Sequence, residues 1–162
     1  MTSPSKGTGA DFLVRKSDVA KSRKDMAPLN DILIVEDERL DAERLVATLR
    51  TMFGYGLEVR RANTLSSALD EMLKRKPDLV LLDDVLVSEN ANDSIPMLRR
   101  VPFDGPIIII SGKVDRLRRA ELLKKGANDA INKDDVNSVE IAAVLARLGI
   151  GEARPVEPPV KG

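Results

Sequence analysis

Four places in this sequence join an apolar run to residues able to do chemistry. Ile32–Val35 leads into Glu36, Asp37 and Glu38, Leu79–Leu82 into Asp83 and Asp84, and Ile107–Ile110 into Ser111 and Gly112, while Lys133 follows the short run Asp129-Ala130-Ile131. Glu36, Asp37 and Asp83 offer the hard oxygen ligands that Mg²⁺ prefers, and three such carboxylates gathered without a cation would repel one another. A lysine and a hydroxyl facing the same place then call for an anion bound beside the metal. A phosphoryl group meets both demands. The chain has no cysteine and no histidine, which excludes disulfides, thiol nucleophiles, structural zinc, Ser-His-Asp triads and histidine bases together. Carboxylates, hydroxyls and amines must carry any reaction.

The elements that would position these residues alternate regularly. Ile32–Val35 reads as a buried strand, followed by a helix on which Leu45, Val46 and Leu49 recur at helical spacing. Leu57–Arg60 alternates like an edge strand, and Asn63 or Thr64 caps a helix bearing Leu65, Leu69 and Leu73. Leu79–Leu82 is a third strand, with a helix around Pro96–Val101 after a polar loop; Ile107–Ile110 is a fourth, with a helix over Val114–Lys125 stopped by Gly126. Asp129–Ile131 is a short fifth strand before a last helix from Val136 to Leu148. Five strand-helix units predict an α/β fold, a doubly wound five-stranded parallel sheet with helices on both faces, and three strands that are apolar at every position fit burial on both sides. In such sheets ligands bind beyond the carboxyl ends of the strands, where all the residues named above would lie.

The 162 residues balance 26 Lys and Arg against 26 Asp and Glu, so a generally basic nucleic-acid binder is disfavoured and any charge logic is local. No apolar run approaches the roughly 20 residues of a membrane-spanning helix, which points to a cytoplasmic protein. Residues 1–29 are expected to form a basic arm, partly disordered or helical and set off by Pro28. Residues 30–150 are expected to form the folded domain, and 151–162 a disordered Pro-rich tail. Residues 1–30 hold six Lys and Arg against three Asp, which leaves the remainder of the chain with a net −3. The apolar Phe12, Leu13, Val14, Val19 and Met26 within the arm are consistent with docking or a homodimer.

Taken in order, Ile34-Val35-Glu36-Asp37-Glu38, Pro77-Asp78 through Asp83, Pro106 through Ser111-Gly112, and Gly126-Ala127-Asn128-Asp129 through Lys133 resemble the receiver domain of two-component response regulators, over about residues 30–149. The resemblance implies a flavodoxin-like fold in which Asp83 is the phosphoacceptor, a carboxylate nucleophile that takes a phosphoryl group from a histidine kinase. It implies that Asp37 and Asp83 ligate Mg²⁺ or Mn²⁺ directly, Glu36 acts through water, and the backbone carbonyl of Val85 is a further ligand. Lys133 and the metal would offset charge on the transferring group. Ser111 would hydrogen-bond a phosphoryl oxygen, with Gly112 leaving room beside it. Asp84 reads as an exposed or loop-capping acid next to the acceptor.

The chain also departs from the family pattern. The position three before the lysine usually carries Tyr or Phe and here is Ala130, so the usual aromatic readout of phosphorylation is missing. The loop after Asp83 is longer and polar. Val85 and Lys113 flank the path of the hydrolytic water, and a valine cannot orient it, so slow loss of the phosphoryl group is expected. Only a short segment follows Gly149, which leads to the expectation of a single-domain regulator. Such a protein would not be an enzyme in the usual sense. It would signal through protein-protein contacts, with a sensor histidine kinase and a histidine phosphotransfer protein as partners, and no direct contact with nucleic acid or membrane. A phosphorylation-independent adaptor with the same fold is the alternative. An aspartate-nucleophile phosphatase would want a second carboxylate where Val85 stands.

Overall fold

The computed structural model describes residues 27–87 and 89–151. Five strands, β1 (Asp31–Val35), β2 (Glu58–Ala62), β3 (Leu79–Asp83), β4 (Ile107–Ser111) and β5 (Asp129–Asn132), alternate with five helices, α1 (Arg39–Phe53), α2 (Leu65–Lys74), α3 (Ala91–Arg99), α4 (Arg116–Lys125) and α5 (Ser138–Arg147). The strands form one sheet in the order β2-β1-β3-β4-β5, and every pairing is parallel. Chain order therefore reverses between β1 and β3, which opens a crevice at their carboxyl ends.

The apolar runs are buried on both faces because the pleat sends alternate side chains to opposite layers. Ile32, Ile34, Leu79, Leu81, Ile108, Ile110 and Ile131 pack with Leu45 and Leu49 of α1 and Ile141, Val144 and Leu145 of α5. Leu33, Val35, Val80, Leu82, Ile107 and Ile109 pack under α2, α3 and α4. The helices are not equally anchored: α5 buries Ile141, Val144 and Leu145, whereas α4 buries Leu122 alone.

Local capping sets the boundaries. Thr64 and Ser67 form a reciprocal cap on α2, Asp115 accepts from the Arg118 amide at the start of α4, and Gly126 ends that helix at φ 121°. Two elements differ from the sequence reading. On α2 the buried face is Leu65, Ala68 and Met72, while Leu73 is 72% exposed. Steps of four residues drift around a 3.6-residue helix, whereas steps of three and four alternating stay on one face. Helix α3 begins at Ala91 instead of near Pro96, because Ala91, Ser94, Ile95 and Leu98 make its buried stripe and two of those four are small enough to read as loop.

The body also takes in residues before β1. Ala27 bridges Ile150, its amide donating to the Gly149 carbonyl at 2.9 Å, and Leu29 is buried against the α1 and α5 layer. Residues 27–29 of the expected arm (1–29) thus pack with the body, while residues 1–26 of that arm and 152–162 of the expected tail (151–162) lie outside the described residues. Among the described residues no helix is long and apolar enough to cross a membrane.

Candidate functional site

Register brings the acidic residues together. Val35 pairs with Leu82 and Asp83 with Ile110, so Glu36, one residue past Val35, stands level with Asp83. One carboxylate oxygen from each of Glu36, Asp37 and Asp83 lies within 4.8 Å of the other two. Asp37 is steadied by the Val87 amide, which donates to its Oδ2 at 2.8 Å across the crevice. Glu36 is buried and accepts from the Glu38 amide through Oε2 at 3.0 Å, but its Oε1 has no hydrogen-bond partner among the described residues.

Lys133 reaches this cluster from the turn after β5. Its Nζ lies 3.4 Å from Asp83 Oδ1, 3.7 Å from Glu36 Oε1 and 3.0 Å from Asp41 Oδ2. One cation thus serves three carboxylates. Burial pushes Glu36 up to about 7, helped by the Asp83 charge, with the Glu38 amide and Lys133 pulling the other way. Burial raises Asp83 as well, against the field of Lys133. Burial disfavours the Lys133 charge, yet its hydrogen bond to Asp41 and the Asp83 and Glu36 charges hold its pKa above that of an ordinary lysine.

Ser111 faces elsewhere. Its hydroxyl donates to Asp84 Oδ2 at 2.7 Å, and Asp84 also receives Arg118 of α4, with Nε at 3.2 Å and Nη2 closer still. Asp84, read from the sequence as an exposed or capping acid, is 5% exposed and ion-paired. This is a correction: successive residues at the end of a strand project to opposite faces, so Asp84 enters the α4 side of the sheet while Asp83 faces the crevice. Burial disfavours its charge, but the hydrogen bonds from Arg118 and Ser111 outweigh that and keep its carboxyl below the usual range. A Cβ added at Gly112 would meet nothing within 4 Å, so the space beside Ser111 is open. Ala130 is 1% exposed and belongs to the same apolar cluster as Leu122 of α4. The Val85 side chain is 66% exposed.

The structure thus brings Glu36, Asp37, Asp83 and Lys133 together and sets Ser111 apart with Asp84. Sequence reasoning missed Asp41 and Arg118. Asp41 lies in the first turn of α1, where an acid reads as one placed to complement the helix N-terminus. Arg118 sits in the run Arg116-Leu117-Arg118-Arg119, which reads as a solvated face.

A family model described as the response regulator receiver domain matches residues 32–145. The chain belongs to this family. Among curated relatives, the receiver is 34% identical over 126 residues to the DNA-binding response regulator MtrA of Mycolicibacterium smegmatis, covering 78% of this chain and 54% of that one. It is likewise 34% identical over 132 residues to the phosphate regulon transcriptional regulatory protein PhoB of Pseudomonas aeruginosa, covering 78% of this chain and 56% of that one. The chain spans about half the length of the curated relatives it matches. Among solved structures, a putative response regulator from Chloroflexus aurantiacus is 29% identical with a TM-score of 0.63, covering 74% of this chain and 99% of that one. The receiver domain of NtrX from Brucella abortus is 27% identical with a TM-score of 0.64, covering 72% and 96%. The flavodoxin-like receiver fold expected from the sequence is the one observed.

Proposed function

We propose that this receiver accepts a phosphoryl group on Asp83 from the phosphohistidine of a sensor histidine kinase or a histidine phosphotransfer protein. The observation that supports it most is Asp83 at a crevice, 3.4 Å from Lys133 and clustered with Glu36 and Asp37. An Asp83 oxygen attacks phosphorus, a P–O bond forms as the P–N bond breaks, and the imidazole nitrogen leaves with the bonding pair and is protonated by water. Lys133 opposes the burial that disfavours the Asp83 charge and would meet the charge on the phosphoryl oxygens. The donor set fits Mg²⁺: three hard carboxylates close together, one of them with a buried oxygen that has no hydrogen-bond partner among the described residues. Asp37 and Asp83 would hold the ion, Glu36 through water, with the Val85 carbonyl completing the protein ligands. Bound there, it would supply positive charge to the transferring group.

In this reading the protein is a cytoplasmic signalling component, not a classical enzyme, and its output runs through protein contacts. Support comes from Leu40, Val85, Val87 and Leu117, exposed apolar side chains that all follow the carboxyl ends of strands. Nothing at Val85 orients a hydrolytic water, and Lys113 stands near the hydroxyl of Ser111, so the phosphorylated state is long-lived. Val85→Asn is expected to shorten its half-life several-fold; a wild-type half-life of seconds that the variant lengthens would remove this part of the proposal.

The test is intact mass after incubation with acetyl phosphate and Mg²⁺, repeated with a phosphohistidine donor. One phosphoryl of added mass is expected, absent in Asp83→Asn and absent with chelator. No addition from either donor would favour the adaptor.

A further inference from the structure

A lysine ammonium carries three N–H donors and no acceptor, and Lys133 meets three carboxylates. Its shortest contact, a 3.0 Å hydrogen bond to Oδ2, goes to Asp41, which stands outside the cluster of Glu36, Asp37 and Asp83. Asp83 and Glu36 lie farther off, at 3.4 and 3.7 Å. Donors and acceptors are thus matched one for one, and a phosphoryl oxygen arriving on Asp83 finds each N–H engaged. Asp41 is fixed by its own helix, since its amide donates to Oε1 of the N-cap residue Glu38 at 3.2 Å. Its carboxylate is 28% exposed and has a second cation in Arg44, whose Nη1 lies 3.8 Å from Oδ1. Glu36 and Asp83 are buried. Of the three acceptors, Asp41 therefore gives up the lysine at least cost, because water and Arg44 remain to it.

We propose that Asp41 is a positioning residue that restrains phosphoryl transfer: it holds the Lys133 ammonium toward α1 in competition with Asp83, and its release frees an N–H for the phosphoryl oxygens. The inference rests on Asp83 being the phosphoacceptor. Asp83 at the end of β3 and Glu36 just past β1 keep the ammonium in the crevice by themselves, so Asp41 is not needed to bring the lysine there. What it adds is a rival charge. With acetyl phosphate as donor, an Asp83 oxygen attacks phosphorus, a P–O bond forms, and acetate leaves with the pair of the broken P–O bond. Negative charge gathers on the phosphoryl oxygens as this happens, and an ammonium relieved of Asp41 answers that charge more fully. Asp41 acts on the reaction through Lys133, and it sets how fast the receiver is charged.

The experiment follows the intact mass of the full chain over time with acetyl phosphate and Mg²⁺. The rate constant of phosphoryl uptake is expected to rise about tenfold in Asp41→Ala and about threefold in Asp41→Asn, whose amide oxygen still accepts a hydrogen bond without the charge. Asp41→Glu restores the charge in the first turn of α1 and is expected to stay within about twofold of wild type. Lys133→Met separates a route through the lysine from a disturbance of α1: in that background Asp41→Ala is expected to change nothing. Unchanged or lower rates in Asp41→Ala and Asp41→Asn, with wild type still taking up one phosphoryl, overturn the restraint and leave the phosphoacceptor intact. So does an equal acceleration in the Lys133→Met background or in Asp41→Glu. Should Lys133→Met take up no phosphoryl, the comparison of Asp41→Glu with Asp41→Asn, charge against shape, decides alone. No added mass in wild type from acetyl phosphate or from a phosphohistidine donor overturns the phosphoacceptor reading and, separately, removes the ground for the restraint.

Discussion

Asp83 and Asp84 are adjacent, acidic and buried, yet the two sides of β3 treat them in opposite ways. On the crevice side, Asp83 shares one lysine with Glu36 and Asp41 while Asp37 stands in the same cluster, and burial pushes the Asp83 carboxyl up against the field of that lysine. On the α4 side, Asp84 receives both Nε and Nη2 of Arg118 and the Ser111 hydroxyl, and its carboxyl is held down. An undercompensated cluster is one that a cation would complete. A saturated one is a structural joint. The difference lies in the donors, since Asp84 receives Arg118 and the Ser111 hydroxyl together while Asp83 has part of one lysine.

The comparison is broken most severely at Asp84. Asp84→Ala leaves Arg118 partly buried without its carboxylate, and urea unfolding is expected to show a loss of about 2–3 kcal/mol; a change near zero would mean that the pair is no joint. Mg²⁺ sharpens the other side. At ten times its dissociation constant it is expected to stabilise the wild type by about 1.4 kcal/mol, and Asp37→Asn to lose most of that gain in the same titration. Smallest is Asp83→Asn without metal. Removing one of the crowded buried charges is expected to stabilise the fold by about 1 kcal/mol, the reverse sign from its neighbour, and equal losses at both positions would erase the distinction.

The strands were legible because burial on two faces leaves no room for polar alternation, and the site was legible because its residues stand directly after those strands. What Asp84 does was not. Two acids in a row carry no sign of which layer each enters until strand register is known, and the partner of Asp84 lies 34 residues on, inside a run of arginines typical of exposed helix. Asp41 was hidden in the same way, as one charge among several in the first turns of α1. The start of α3 was missed because Ala91 and Ser94 fill a buried stripe with little apolar mass. Pattern reading detects bulk and misses close packing by small residues. The arm and the tail remain expectations from composition.

The pairing of Ala27 with the segment after α5 has a consequence for how this domain can be connected. Strands run toward the rim that carries Asp83 and α5 returns from it, so Ala27 and Gly151 meet at the opposite pole, hydrogen-bonded to each other. Cargo fused at either point, whether a reporter, a surface tether or another domain, begins at the far end and leaves the Asp83 rim free. The same closeness allows the two points to be joined by a short linker and the chain reopened in a surface loop, giving a circular permutant with the crevice untouched.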